Sequence, residues 1–282
     1  MQIKNLADTP FPDLIHTFNT AFADYIVPMQ VEQEAMRLRW LSCRADYRLS
    51  FGAFDDDQLV GFMVTGVDEW KGLKTAYNAG TGVIPSHRGR HIVQQLYDKA
   101  IPAFKTAGIR QCTLEVIVGN DRAIKAYERV GFRKDRTLKC FGKANFLPTR
   151  ERRKWHFREA ETPDWNTYRE FREFPPSWEN NRQAVAIAGE HYTCKELYEG
   201  EDLIGFILFR PESAYVAQFG VADWEDWLHI GHQLWQHVLR IHSGMRINNI
   251  EAEAGRSIAI LEQTGLQNTI DQYEMSFRLA GE

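Results

Sequence analysis

The chain is 282 residues long, a length that suits two average domains better than one. A hydrophobic share of 44% and a charged share of 26% are those of an ordinary globular protein, which excludes a disordered or fibrous chain. The formal net charge of −4 hides an asymmetry, with 21 Lys+Arg against 16 Asp+Glu in residues 1–150 and 13 against 22 in the rest. No basic run is interleaved with aromatics, so nucleic acid is excluded as a partner. The basic half suits an anionic ligand and the acidic half a cationic one, or both are plain solvated surface.

From the N-terminus, a helix is expected around Pro12–Ala23, then the segment Tyr25-Ile-Val-Pro28 and a second helix around Glu32–Ser42. Arg48–Phe54 and Leu59–Val67 read as strands joined by the turn formers Asp55-Asp-Asp57. Thr75–Ile84 is the next strand, and Arg88–Ala107 a helix with Ile92, Leu96 and Ile101 on its apolar face and a kink expected at Pro102. Gln111–Val118 reads as a buried strand and Asp121–Val130 as a short helix stopped by Gly131. The first half is therefore β-α-α-β-β-β-α-β-α-β, an α/β fold with a mixed sheet.

Two stretches carry chemistry. In Thr81-Gly-Val-Ile-Pro-Ser-His-Arg-Gly-Arg-His-Ile-Val93 a strand passes through a Gly-containing turn into a helix. The free N–H groups at that helix start, flanked by Arg88 and Arg90, form a site for phosphate. In Asn120-Asp-Arg-Ala-Ile-Lys-Ala-Tyr-Glu-Arg-Val-Gly-Phe132 a short helix carries Tyr127. Gly80 and Gly82 are unusual inside a strand and fit a bulge or the close approach of a ligand to the backbone.

Together these stretches resemble the GCN5-related N-acetyltransferases (GNAT), which move an acetyl group from acetyl-CoA to an amine. The second motif matches the family at Asn120, Ala123, Tyr127, Gly131 and Phe132. The first matches at Arg88, while His91 and Val93 stand where the family has small residues. The resemblance implies a cofactor site made of Thr81, Gly82, Val83, Arg88, Gly89, Arg90, His91, Ile92, Val93 and Asn120. The turn would cradle the CoA pyrophosphate, the preceding strand would polarise the thioester carbonyl, and Asn120 would hold the pantetheine arm. Tyr127 corresponds to the family's general acid, or to a hydroxyl that only positions CoA. Glu115 stands where some members keep a base, and reads equally as a structural glutamate; Asp68 and Glu69 are the other candidates. Phe22, Tyr25, Trp70 and Tyr77 are expected either to line an acceptor pocket or to be core. The reaction implied is direct attack by a primary amine of a small molecule or peptide in a ternary complex. The alternative is a CoA-binding module without turnover, which His91 and Val93 favour and Asn120 and Tyr127 disfavour.

After the charged segment Arg150-Glu-Arg-Arg-Lys154 the pattern starts again. Asp57-Gln-Leu-Val-Gly-Phe62 echoes in Glu201-Asp-Leu-Ile-Gly-Phe206, the Tyr127 helix echoes in Ser257–Leu266, and His91-Ile92 falls opposite His229-Ile230. The expected domains are therefore 1–148, catalytic and acetyl-CoA-binding, and 154–282, a degenerate second copy. In that copy Leu261 stands for Tyr127, Ala254 for Asn120, and Asp226-Trp-Leu for Arg88-Gly-Arg, placing a negative charge where phosphate would sit. This leaves it to shape the acceptor cleft, extend the sheet or form a homodimer interface.

Four scattered cysteines (Cys43, Cys112, Cys140, Cys194) argue for a reducing compartment and against structural zinc. His229, His232, His237 and His242 cluster on one expected helix without a Cys or carboxylate at ligand spacing, so no metal is expected. The start of the sequence has no apolar signal core and no run is long enough to span a bilayer, so no membrane is expected and the location expected is cytoplasmic.

Overall fold

Turn chemistry and apolar periodicity set the first half of the chain. A computed structural model of the protein describes residues 1–25, 29–145, 153–222 and 225–279. Of the Tyr25–Pro28 segment only Tyr25 lies among them, and of the charged segment Arg150–Lys154 only Arg153 and Lys154. The chain divides into two units: residues 1–135 with the stretch from Tyr273 onward, and Arg136–Gln272. The sequence had suggested a division between 148 and 154; residues 146–152 lie outside the described ones.

The first unit runs β1 (Gln2–Asn5), α1 (Phe11–Phe22), α2 (Gln33–Ser42), β2 (Phe51–Asp55), β3 (Gln58–Trp70), β4 (Leu73–Val83), α3 (Ile92–Thr106), β5 (Gln111–Ile117) and α4 (Asp121–Val130). Strands follow the order β1-β2-β3-β4-β5, with the chain's last strand β12 (Gln267–Arg278) beside β5. Asp56 and Asp57 at φ 46° and 63° make the two-residue turn between β2 and β3, the left-handed conformation that a tight hairpin needs. α4 keeps the expected bounds because both ends are fixed by side chain and backbone. Asn120 Oδ1 accepts the Ala123 N–H at 3.2 Å, and Gly131, at φ 118°, donates its N–H to the carbonyls of Tyr127 and Glu128. α3 begins four residues later than expected and runs through Pro102. Gly89 at φ 81° and His91 at φ 56° hold the preceding residues in turns instead.

Ile92, Leu96, Tyr97, Ala100 and Phe104 of α3 are buried at helical spacing against the sheet. Phe132 closes the cluster, with ring centroids 5.5 Å from Tyr97, 5.7 Å from Tyr127 and 4.7 Å from Phe277 of β12. Each such edge contact contributes about 0.5–1.5 kcal/mol beyond area burial.

The second unit continues β6 (Arg133–Gly142), whose residues from Arg136 belong to it, through β7 (Trp155–Glu159), α5 (Trp165–Phe171), α6 (Arg182–Ile187), β8 (Thr193–Glu199), β9 (Asp202–Arg210), β10 (Tyr215–Val221), α7 (Trp227–Ile241), β11 (Arg246–Glu251) and α8 (Gly255–Gln263). From β7 the order is again β-α-α-β-β-β-α-β-α, with strands β6-β11-β10-β9-β8-β7 in succession. The repeat extends to register. β2 slips against β3 between Ala53 and Phe54, and β8 slips against β9 between Leu197 and Tyr198, each 144 residues on. A Cβ on Gly61 would meet Ile92 Cγ2 at 3.0 Å, and a Cβ on Gly205 would meet Ile230 Cγ2 at 3.0 Å. The same glycine thus admits the same helix in both units, in line with the sequence echo of His91-Ile92 in His229-Ile230.

Candidate active site in the first unit

β4 and β5 are parallel neighbours for three residues only, Thr75, Ala76 and Tyr77 opposite Gln111, Cys112 and Thr113. Beyond them β4 keeps its ladder with β3 but not with β5. Backbone donors and acceptors on the facing edges are thereby left for a ligand in extended form. Just past the parting, the β3–β4 register shifts: Thr65 faces Asn78 and Val64 faces Gly80, so Ala79 is a bulge. The bulge expected from Gly80 is present. Gly82 has a different reason to be glycine: a Cβ there would lie 2.9 Å from Phe62 Cε1 and 3.0 Å from Ala21 Cβ, so its bareness lets α1 pack.

β4 leads into a 3₁₀ turn at Pro85–His87 and then to α3, whose N-terminal N–H groups have no capping side chain. Exposed His91 occupies the left-handed conformation usual for glycine, and its backbone carbonyl accepts from Gln95. Val93 turns to the core and packs half-buried against it. Arg88 points elsewhere than expected. It donates to both Asp24 carboxylate oxygens at 2.6 and 2.7 Å, to the Ala21 carbonyl at 2.9 Å and to the Val83 carbonyl at 3.1 Å. Its guanidinium thus ties the end of α1 to the end of β4, and hydrogen bonding to it holds the Asp24 carboxyl below its usual range. Arg90 is largely exposed and approaches Asp55 at 3.9 Å.

Tyr127 is buried, with its hydroxyl 3.5 Å from Asn78 Nδ2. Burial pushes the phenol up to about 12, against hydrogen bonds with Thr81 and Asn78, so it is protonated throughout the neutral range. Asn120, besides capping α4, donates to the Tyr25 hydroxyl at 2.9 Å, and Tyr25 stacks edge-on with Phe22 at 5.0 Å. On the facing strands Tyr77 donates to Glu115 at 2.5 Å, bridging β4 and β5 where they part. Asp68 pairs with Arg44 at 3.1 Å, four residues along β3 from the bulge partner Val64, about 13 Å away at strand rise. Trp70 lies at the same distant end, its carbonyl accepting from Gln111. The structure thus gathers Gly80, Thr81, Asn120, Tyr127, Glu115, Tyr77, Phe22 and Tyr25 around the parting and leaves Asp68, Glu69 and Trp70 outside it. Sequence reasoning missed Asn78 and Asp24. Asn78 carried a signal, an Asx residue two positions before a strand glycine; the partner of Arg88, 64 residues away, carried none.

Residues 10–132 match the sequence profile of the Acetyltransferase (GNAT) family. The match lies wholly within the first unit. N-alpha-acetyltransferase 30 of Schizosaccharomyces pombe is 31% identical over 84 residues, 29% of this chain and 56% of that protein. The chain spans about half the length of the curated relatives it matches. Over the whole chain the likeness is one of fold. A GCN5-related N-acetyltransferase from Sphaerobacter thermophilus aligns at TM-score 0.72 with 13% identity, covering 99% of this chain and 96% of that one. A tandem GNAT protein from the clavulanic acid biosynthesis pathway aligns at 0.70 with 13% identity, covering 100% and 99%.

The second unit keeps the scaffold and changes the lining. Its β9–β10 register slips at Ala217, the residue matching Ala79, and β10 and β11 pair only at Tyr215 and Val216. Gln218 stands for Gly80, and its side chain accepts from Arg172 at 2.7 Å and donates to the Asn180 carbonyl. Asn180, Tyr215, Asn249 and Ser177 complete a hydrogen-bonded filling, beside which lies a small pocket lined by Arg172, Phe174 and Asn249. Buried Leu261 and Ala254 match Tyr127 and Asn120. Glu173 supplies the missing cap of α8, accepting from the N–H groups of Arg256 and Ser257. At the head of α7, Asp226 pairs with Arg153 at 2.6 Å, the reverse polarity of Arg88 with Asp24.

On α7, His232 contacts the Thr264 hydroxyl at 3.2 Å and His237 stacks on Phe157 at 4.1 Å; burial holds both imidazoles below their usual range. Among the described residues no group of three or more His, Cys, Asp or Glu is placed to hold a metal, all four cysteines are buried free thiols, and no helix is long and apolar enough to cross a membrane.

Proposed function

We propose that the chain is an acetyl-CoA-dependent N-acetyltransferase with one active site, in the parting of β4 and β5. The observation that carries this is the parting itself, with a bulge at Ala79 and the buried phenol of Tyr127 beside it. Those features fit a thioester carried on an extended arm: bare strand edges accept the arm, and the uncapped N-terminus of α3 accepts its phosphates through backbone N–H groups of residues 91–93. With Arg88 committed to Asp24, those N–H groups and Arg90 carry the phosphate, and Arg88 shapes the entrance through α1.

The acceptor amine, once neutral, attacks the acetyl carbonyl; a C–N bond forms as the C–S bond breaks. Backbone N–H groups of the bulged strand Thr81–Val83 stabilise the developing oxyanion. Tyr127, kept protonated by its burial, gives its proton to the leaving thiolate, and Glu115, bridged to Tyr77, receives the proton of the amine. Residues 1–148 would carry this chemistry, and residues 154–282 neither bind acetyl-CoA nor react, since Gln218 fills the matching gap and Asp226 repels phosphate. Buried free thiols suit the reducing cytoplasm. The names of the curated relatives put peptide α-amines first in the acceptor panel, ahead of small amines.

The test is release of CoA thiol from acetyl-CoA over that panel, with Tyr127→Phe as control. Thiol release that depends on amine and falls in the control supports the reading. Saturable acetyl-CoA binding without thiol release for any amine makes the chain a CoA-binding module instead.

A further inference from the structure

Asn78 joins four polar groups at the edge of the proposed site. Its Oδ1 accepts the Gly80 N–H at 3.0 Å and the Thr81 hydroxyl at 2.9 Å; its Nδ2 lies 3.1 Å from the Tyr97 hydroxyl and 3.5 Å from that of Tyr127. The orientation of the carboxamide is fixed by chemistry. The Gly80 N–H can only donate, so the oxygen must face it and the NH₂ must face the tyrosines.

We infer that Asn78 is a positioning residue for acetyl transfer, pinning the β4 bulge with its oxygen and steering the Tyr127 proton with its nitrogen, an inference that rests on the acetyltransferase reading. A bulge is an interruption of the ladder, and its unpaired residue is free to shift unless something holds it. Asn78 holds the following residues Gly80 and Thr81 from within the same strand, while the Trp40 indole donates to the Ala79 carbonyl at 3.4 Å from α2. The strand that aims its N–H groups at the oxyanion is thereby held from two sides. The other end of the carboxamide faces the Tyr127 oxygen as a donor. A phenol oxygen that receives an N–H cannot spend its own proton on that neighbour; with the Thr81 hydrogen committed to Asn78, the Tyr127 proton rests on the Thr81 hydroxyl, from which it turns to the thiolate. The Tyr97 ring stands edge-on to Tyr127 at 6.4 Å and its hydroxyl receives the second amide hydrogen, so neither hydrogen is left unpaired in a half-buried place.

The second unit supplies an internal control. With the bulges aligned, Val216 matches Asn78, Leu261 matches Tyr127 and Trp235 matches Tyr97, all fully buried. The bulge at Ala217 persists without an asparagine because Gln218 anchors it through Asn180 and Arg172. Amide and phenol hydroxyl are absent together, as expected of groups that work as a pair.

The test is a double-mutant cycle of Asn78→Asp with Tyr127→Phe, reading kcat by thiol release and acetyl-CoA affinity by calorimetry. Asp keeps the oxygen that binds Gly80 and Thr81, but replaces the donor facing Tyr127 with an acceptor that takes its proton. The expected result is a kcat lowered about 100-fold, acetyl-CoA Kd within about three-fold of wild type, and no further loss when Asn78→Asp is added to Tyr127→Phe. Asn78→Val, which copies the second unit and removes both ends, should weaken Kd as well as kcat. In Asn78→Asp, a wild-type kcat, losses of equal size in kcat and acetyl-CoA affinity, or losses that multiply with Tyr127→Phe would each overturn the inference and leave the acetyltransferase reading standing. A wild type that neither binds acetyl-CoA nor releases thiol would remove both.

Discussion

Between β4 and β5 the first unit leaves strand edges without ladder bonds and borders the gap with Asn78, Thr81, Glu115 and Tyr127. Between β10 and β11 the second unit makes the same opening, bulge included, and fills it with Gln218, Asn180 and Arg172. Backbone geometry is thus held in common while side chains decide whether the opening can admit a ligand. The parting and the bulge belong to the fold, and the proposed active site needs Gly80 to stay small and position 127 to carry a proton. Charge follows the same division, Arg88 with Asp24 in one unit and Asp226 with Arg153 in the other.

The sharpest way to break this comparison is to mutate matched positions. Tyr127→Phe removes a proton donor and should lower kcat about 10²–10⁴-fold with little change in stability. Leu261→Ala, at the matching place, should instead cost about 2–5 kcal/mol in chemical denaturation and leave the kcat of the folded protein within a few-fold of wild type. Equal effects on kcat would mean that the second unit takes part in catalysis.

A smaller effect tests the shared scaffold. Gly61→Ala and Gly205→Ala each bring a Cβ to 3.0 Å from an isoleucine Cγ2 at the start of a packed helix. Each should lose about 1–3 kcal/mol in urea melts, and by similar amounts. Strongly unequal losses would separate the two packings.

The smallest effect concerns pH. Asp24 and Asp226 are both held below their usual range by a hydrogen-bonded arginine. A lowered carboxyl favours the folded state above its unfolded value near about 4 and loses that contribution as pH falls through the folded value. Asp24→Asn and Asp226→Asn should therefore lower Tm slightly at pH 7 and leave it unchanged near pH 2. A larger drop at acid pH would contradict the pairing.

Much of the fold was legible where the cause is local. α4 was bounded by the Asn120 cap and Gly131, both short-range signals. The second copy showed through the Gly-Phe echo at residues 61–62 and 205–206, because packing a helix on a sheet needs that glycine in each unit. The start of α3 was misjudged because a left-handed His91 looks like any helix residue in sequence. The return of the chain to the first unit from Tyr273 was not legible either, since strand neighbours are set by tertiary packing rather than by period. In the site, Tyr127 and Glu115 were visible as residue types in a motif. The commitment of Arg88 to Asp24 and the grip of Asn78 on the bulge depend on contacts that spacing does not encode.

Calorimetric titration of the intact chain with acetyl-CoA tests the central claim most directly, because it counts openings that admit the ligand. One molecule bound per chain is the predicted result, retained in Leu261→Ala. Two per chain would mean that Gln218 and Asp226 do not close the second opening, and none would mean that the parting of β4 and β5 is not a cofactor site.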